Sequence, residues 1–197
     1  MVEFTGQHDR LPFIRERVWG SKSRGTFVEQ SAPAMHLLPN FRFERTAKRT
    51  WSLLDEQGKS QGTLLRPKWY SSTAEIIAAN GLYTAKSMKG WTSDIALYTG
   101  DVPVLIADFH WGGIAIKTTQ GTALYHIARK SWLSSTYEFR DAKGTLRLAV
   151  RVGMNWRTFE RTYTFTEAGA EPMEPLHVLF GMQAIITQQD RAAMAAA

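Results

Sequence analysis

Six basic residues carry the clearest candidate chemistry in the chain: Arg129, Lys130, Arg147, Arg151, Arg157 and Arg161. Arg147, Ala149 and Arg151 alternate with Leu146, Leu148, Val150 and Val152. In a strand, a period of two sends alternate side chains to opposite faces. The apolar set is therefore expected inside, with Arg147 and Arg151 outside. Arg129 and Lys130, with Arg157 and Arg161, extend the same face onto neighbouring strands. A guanidinium offers a planar fork of donors that matches phosphate, so the candidate chemistry is the binding of an anionic ligand. Trp132 or Trp156 could wedge into an interface there, and Lys86 and Lys89 hold the related place in an earlier stretch. The ordinary alternative is a solvated basic wall.

No comparable case exists for a reaction. Nucleophile elbows, P-loops, dinucleotide fingerprints and His-Glu-x-x-His pairs are absent from the sequence. The five histidines, His8, His36, His110, His126 and His177, lack metal-ligand spacing. With no Cys there is no thiolate nucleophile, cysteine zinc site or disulfide. Asp94, Asp101 and Asp108 are spaced by seven but fall in different turns and strands, and Asp suits a turn beside Gly. The expectation is a protein that is not an enzyme and uses no cofactor or metal.

The net charge of +6 is unevenly spread. Residues 1–50 hold 9 Lys/Arg against 5 Asp/Glu, and residues 129–161 hold 8 against 3. Residues 51–128 balance at 6 and 6, and residues 162–197 hold 1 against 4. Two basic blocks can attract phosphates of lipid or nucleic acid. No nucleic-acid recognition motif accompanies them, so nucleic acid is not the expected partner. The start, Met1 to Arg17, has no apolar core, so no signal peptide is expected there. No apolar run approaches the roughly 20 residues that cross a bilayer. A cytoplasmic protein, at most peripheral to a membrane, is expected.

These residues must be positioned by strands. At 44% hydrophobic and 21% charged, the chain has the composition of a globular domain, and its length suits one domain. Residues 1–45 are polar and interrupted by Gly20, Gly25, Pro33 and Pro39. They read as an irregular extension, with a short helix near Phe13–Trp19. The domain proper is placed at 46–197, although strand-like runs begin at about Phe41. Ten to twelve such runs follow, with turn signals roughly every 8 to 12 residues, as in a sandwich or barrel. Asn80-Gly81 gives the strongest hairpin signal, because both residues tolerate positive φ. Asp55-x-x-Gly58 recurs as Asp141-x-x-Gly144. The stretches from Asn80-Gly81 to Trp91 and from Gln120-Gly121 to Trp132 echo each other about 40 residues apart. Too few copies exist for propeller blades, and a barrel of repeated hairpins is the better reading.

The C-terminal segment breaks the pattern. From Leu176 to Ile186 the apolar side chains fall nearly all round a helix, leaving only a strip of His177, Gly181 and Gln188. Such a helix must be buried or in lipid, and it is too short to span a bilayer. Pro175 suits its first turn, while Glu171 and Glu174 lie at the positive end of its dipole. Gln183, on an apolar face, must find a polar partner inside. His177 is expected at the core or mouth with a satisfied hydrogen bond.

A meander of about twelve strands ending in one apolar helix resembles the tubby C-terminal-like superfamily, including LURP-one-related proteins and phospholipid scramblases. The likeness covers roughly residues 45–190. It rests on the meander, the hairpin Tyr137–Gly144, the run Gly121 to Ile127-Ala128-Arg129-Lys130, and the segment Leu176–Ile186. It implies a mainly β fold, a twelve-stranded antiparallel barrel enclosing the C-terminal hydrophobic helix. It also implies a binding module that docks on anionic phospholipid or phosphoinositide surfaces, or on a protein partner. No motif of the family's lipid site is carried onto residues here. The competing expectation is a calycin-like carrier of a small hydrophobic ligand, which requires a hollow barrel.

Overall fold

The computed structural model describes residues 41–196 except 69–70, 79–80, 89–92 and 159. The expected extension before residue 41, its helix near Phe13–Trp19, His8 and His36 lie outside the described residues. So do Asn80, Lys89 and Trp91.

Twelve strands form one antiparallel sheet in strict sequence order. They are β1 (Phe41–Ala47), β2 (Thr50–Asp55), β3 (Ser60–Leu65) and β4 (Ala74–Ala78). Next come β5 (Gly81–Ser87), β6 (Ile95–Thr99), β7 (Val102–His110) and β8 (Gly113–Thr118). The last four are β9 (Ala123–Arg129), β10 (Thr136–Asp141), β11 (Leu146–Asn155) and β12 (Glu160–Ala168), followed by α1 (Pro175–Ala195). The expected boundary at 45 falls inside β1, which starts at Phe41.

Turn chemistry sets the register. Asp55 Oδ1 accepts from the backbone N–H of Gln57 and Lys59, at 3.1 and 2.8 Å. Asp141 Oδ1 accepts from Lys143 and Thr145, both at 2.9 Å. Gly58 and Gly144 close these turns at φ 78° and 81°, values that only glycine adopts without strain. The backbone donors from Thr145 and Lys143, with Arg147 nearby, hold the Asp141 carboxyl below its usual range.

The sheet nearly closes into a barrel, and among the described residues no ladder joins its two ends. β1 and β12 are the two ends of the strand order, and side chains bridge the seam between them. The Phe43 ring lies 6.1 Å from both Tyr163 and Phe165, and Arg45 pairs with Glu160. That guanidinium holds the Glu160 carboxyl below its usual range.

α1 fills the lumen. Every residue from Val178 to Thr187 is buried, which a helix lying on one side of a sheet cannot achieve. Contacts come from opposite walls. A Cβ on Gly62 in β3 would stand 2.6 Å from Leu179 Cδ1. A Cβ on Gly181 would collide with the Phe139 ring of β10. At these two points the absence of a side chain lets helix and wall approach. The Gln183 amide nitrogen finds internal partners, donating to Ser72 O at 2.9 Å and Thr187 Oγ1 at 3.1 Å, while its buried Oε1 accepts from no side chain or backbone group among the described residues.

Candidate functional site

Antiparallel order gives the barrel two unlike ends. At the end where α1 begins, the connections are tight turns such as Asp55–Lys59, Thr118–Thr122 and Asp141–Thr145. At the end where α1 finishes, they include Lys48-Arg49, residues 66–73, Trp111-Gly112, Lys130–Ser135 and the segment after Asn155. The six predicted cations divide between these ends.

Arg147 departs from expectation. The register between β10 and β11 shifts between Phe139 and Arg140, opposite Leu148 and Leu146, which leaves Arg147 without a partner in β10. This bulge breaks the inside–outside alternation at its last step. Arg147 Nε donates to Asp141 Oδ2 at 3.0 Å, and Nη1 lies 2.6 Å from a Glu171 oxygen. Its charge is held by two carboxylates, Asp141 at the end of β10 and Glu171 in the segment before α1, and the hydrogen bond to Glu171 raises its pKa. Arg147 is therefore not part of an exposed basic face. Glu171, foreseen as a dipole partner of the helix, is its ion-pair partner.

His177 sits at this same mouth. Its ring centroid is 5.4 Å from that of Tyr125, and burial pushes its pKa down while Glu174 opposes the shift. The expected hydrogen bond is not made by Nδ1, which lies 3.6 Å from Glu174 Oε2.

Arg161 also departs from expectation, since it points into the opposite mouth. Its Nη1 donates to Asp190 Oδ1 at 2.7 Å, and Arg66 Nη1 donates to Asp190 Oδ2 at 2.7 Å. Arg66 is 5% exposed and Asp190 20%. Tyr163 donates to Gln189 Oε1 at 3.2 Å, and burial pushes its phenol up to about 12. This network ties the last turns of α1 to β3 and β12. Asp190→Asn is expected to cost about 2–4 kcal/mol, the cost of stranding a buried cation reduced by solvent screening. Chemical denaturation would show a lowered midpoint, and a loss under 1 kcal/mol would contradict the role.

The remaining cations belong to one sector of that end, between β9 and β12. Arg129 ends β9 and donates from Nε to the Tyr137 hydroxyl at 3.3 Å. Lys130 follows it, exposed and 3.9 Å from Glu138. Arg151 is exposed on the outer wall opposite Thr136, the first residue of β10. Arg157 is exposed in the β11–β12 connection, not on a strand as expected. Among the described residues no carboxylate pairs with Arg129, Arg151 or Arg157. Lys86 is engaged elsewhere, with Nζ 4.3 Å from the centre of the Tyr98 ring.

Arg129 and Arg161 line an open cleft of about 520 Å³ with Ser134, Ser135, Tyr137 and Gln189. A second cleft of about 370 Å³ lies beside it, lined by Arg49, Arg66 and Asp190 among others. Guanidinium and hydroxyl donors at the first cleft suit an anionic oxygen. Sequence spacing did not reveal the Arg66–Asp190–Arg161 cluster, nor the full exposure of Trp111 on the β7–β8 turn. It also concealed the approach of His110 and His126, whose rings lie 5.3 Å apart. Burial, with His110 adding to it, lowers the His126 pKa. No group of three or more metal-ligating side chains occurs among the described residues. Comparison of the chain with protein-family models, curated proteins and solved structures finds no match.

Proposed function

We propose that the chain is a non-catalytic, tubby-like binding module that docks on anionic phospholipid, phosphoinositide included, at the end of the barrel where α1 finishes. The observation that supports this reading most is the set of cations in the β9–β12 sector. Arg129, Arg151 and Arg157 have no carboxylate partner among the described residues, so docking breaks no ion pair with a described residue at these three positions. The negative surface of a cytoplasmic leaflet attracts such groups with about 1 kcal/mol per Lys or Arg.

The carrier reading is less well supported. A carrier needs a hollow lumen, and here Leu179, Phe180 and Met182 are fully buried within the barrel. The clefts open at the rim instead.

Charge reversal tests the proposal. Arg129→Glu, Arg151→Glu and Arg157→Glu combined are expected to weaken binding to phosphatidylserine or phosphoinositide vesicles at least about 100-fold. The thermal unfolding midpoint should fall only slightly, because all three side chains are exposed and the one side-chain hydrogen bond lost is that of Arg129 to the Tyr137 hydroxyl. Reversal at Arg147 should instead destabilise the fold by repelling Asp141 and Glu171. Undiminished vesicle binding by the triple variant would contradict the proposal.

A further inference from the structure

The same end of the barrel is apolar in a way that charge does not explain. Trp111 is fully exposed, Trp132 83% and Trp156 76%, and Leu133 beside Trp132 is 76% exposed. These are three of the four tryptophans among the described residues. Tryptophan is on average a highly buried residue, so three in water at one end call for a partner. They sit on three successive same-end connections, β7–β8, β9–β10 and β11–β12. With strands about 4.8 Å apart, such connections are about 10 Å apart along the rim. Met154 and Met194, 42% and 50% exposed, lie at this end too. Four described turns of the opposite end, Asp55–Lys59, Thr99–Val102, Thr118–Thr122 and Asp141–Thr145, contain no aromatic residue.

A bilayer interface fits this arrangement. Tryptophan prefers the headgroup level, where its ring is half solvated. A bilayer can accept several rings set around a curved rim without matching their shapes. The cations Lys130 and Arg157 share the loops of Trp132 and Trp156, which gives charge complementarity to an anionic leaflet. We infer that the rim bearing Trp111, Trp132-Leu133 and Trp156 inserts into the interfacial layer of an anionic bilayer. The barrel end at which α1 finishes then faces the membrane. This inference rests on the docking reading above and adds which atoms enter the lipid.

The test uses the full chain with vesicles of phosphatidylcholine and phosphatidylserine, some carrying brominated acyl chains. Wild-type tryptophan fluorescence should be quenched by the brominated lipid. Trp111→Ala, Trp132→Ala and Trp156→Ala combined should weaken binding roughly 10- to 100-fold and remove most of that quenching. Arg129→Glu with Arg157→Glu should weaken binding with the quenching of the bound fraction retained. If the tryptophan variant binds as wild type does and no quenching occurs, insertion is overturned while charge docking stands. If the wild type binds no vesicle, both fail. Self-association that disappears in the tryptophan variant, without vesicle binding, would assign the rim to a second copy and overturn the inference.

Discussion

A chain ending before Pro175 is expected to lose cooperative unfolding altogether. The twelve strands turn Leu53, Leu64, Ile76, Leu97, Ile116, Ile127 and Phe139 inward, each fully buried. These side chains have the helix to pack against. Removing α1 deletes Leu179, Phe180, Met182, Ile185 and Ile186 from the core, at about 1.5–3 kcal/mol for each. That loss is comparable to the whole stability of a domain, about 5–15 kcal/mol. The remaining sheet would surround a void wide enough for a helix and would collapse or aggregate. Circular dichroism and denaturant titration of the truncated chain measure the outcome. A soluble product with a single sharp transition would mean the barrel stands without its helix.

Phe180→Ala is expected to cost about 3–5 kcal/mol, the range for emptying an aromatic site in a tightly packed core. Phe180 is 0% exposed on a helix walled in on every side. The backbone has little freedom to close the cavity, because Gly181 and Gly62 already hold the helix at close approach to β10 and β3. The urea midpoint should fall with little change in slope, since the surface exposed on unfolding is nearly the same. A loss under 1 kcal/mol would mean that the site relaxes.

Local pattern carried the fold well. The twin Asp-x-x-Gly turns form alike because each encodes its own hydrogen bonds. The helix is legible because the apolar side chains of Leu176 to Ile186 fall nearly all round it; eleven of its residues are buried, and only a surrounding wall can bury a helix on every face. Arg151 and Arg129 are exposed as their positions suggested. Arg147 was misread because a bulge changes the face of a side chain without altering the sequence alternation that precedes it. Arg161 was misread for another reason. Its partner Asp190 is 29 residues away, and Arg66, on the same carboxylate, is 124 residues from it. An inward-facing charge at a barrel mouth looks, in sequence, like an outward-facing one. Trp111 is silent in the sequence because a lone aromatic in a turn carries no periodicity; its exposure follows only from the folded barrel.

The most direct test of the docking account is binding of the full chain to vesicles with and without anionic lipid as salt is raised. Binding should require the anionic component and weaken steeply between low and physiological ionic strength, as contacts between exposed charges do. Equal binding to neutral vesicles, or no binding to either kind at low salt, would contradict it.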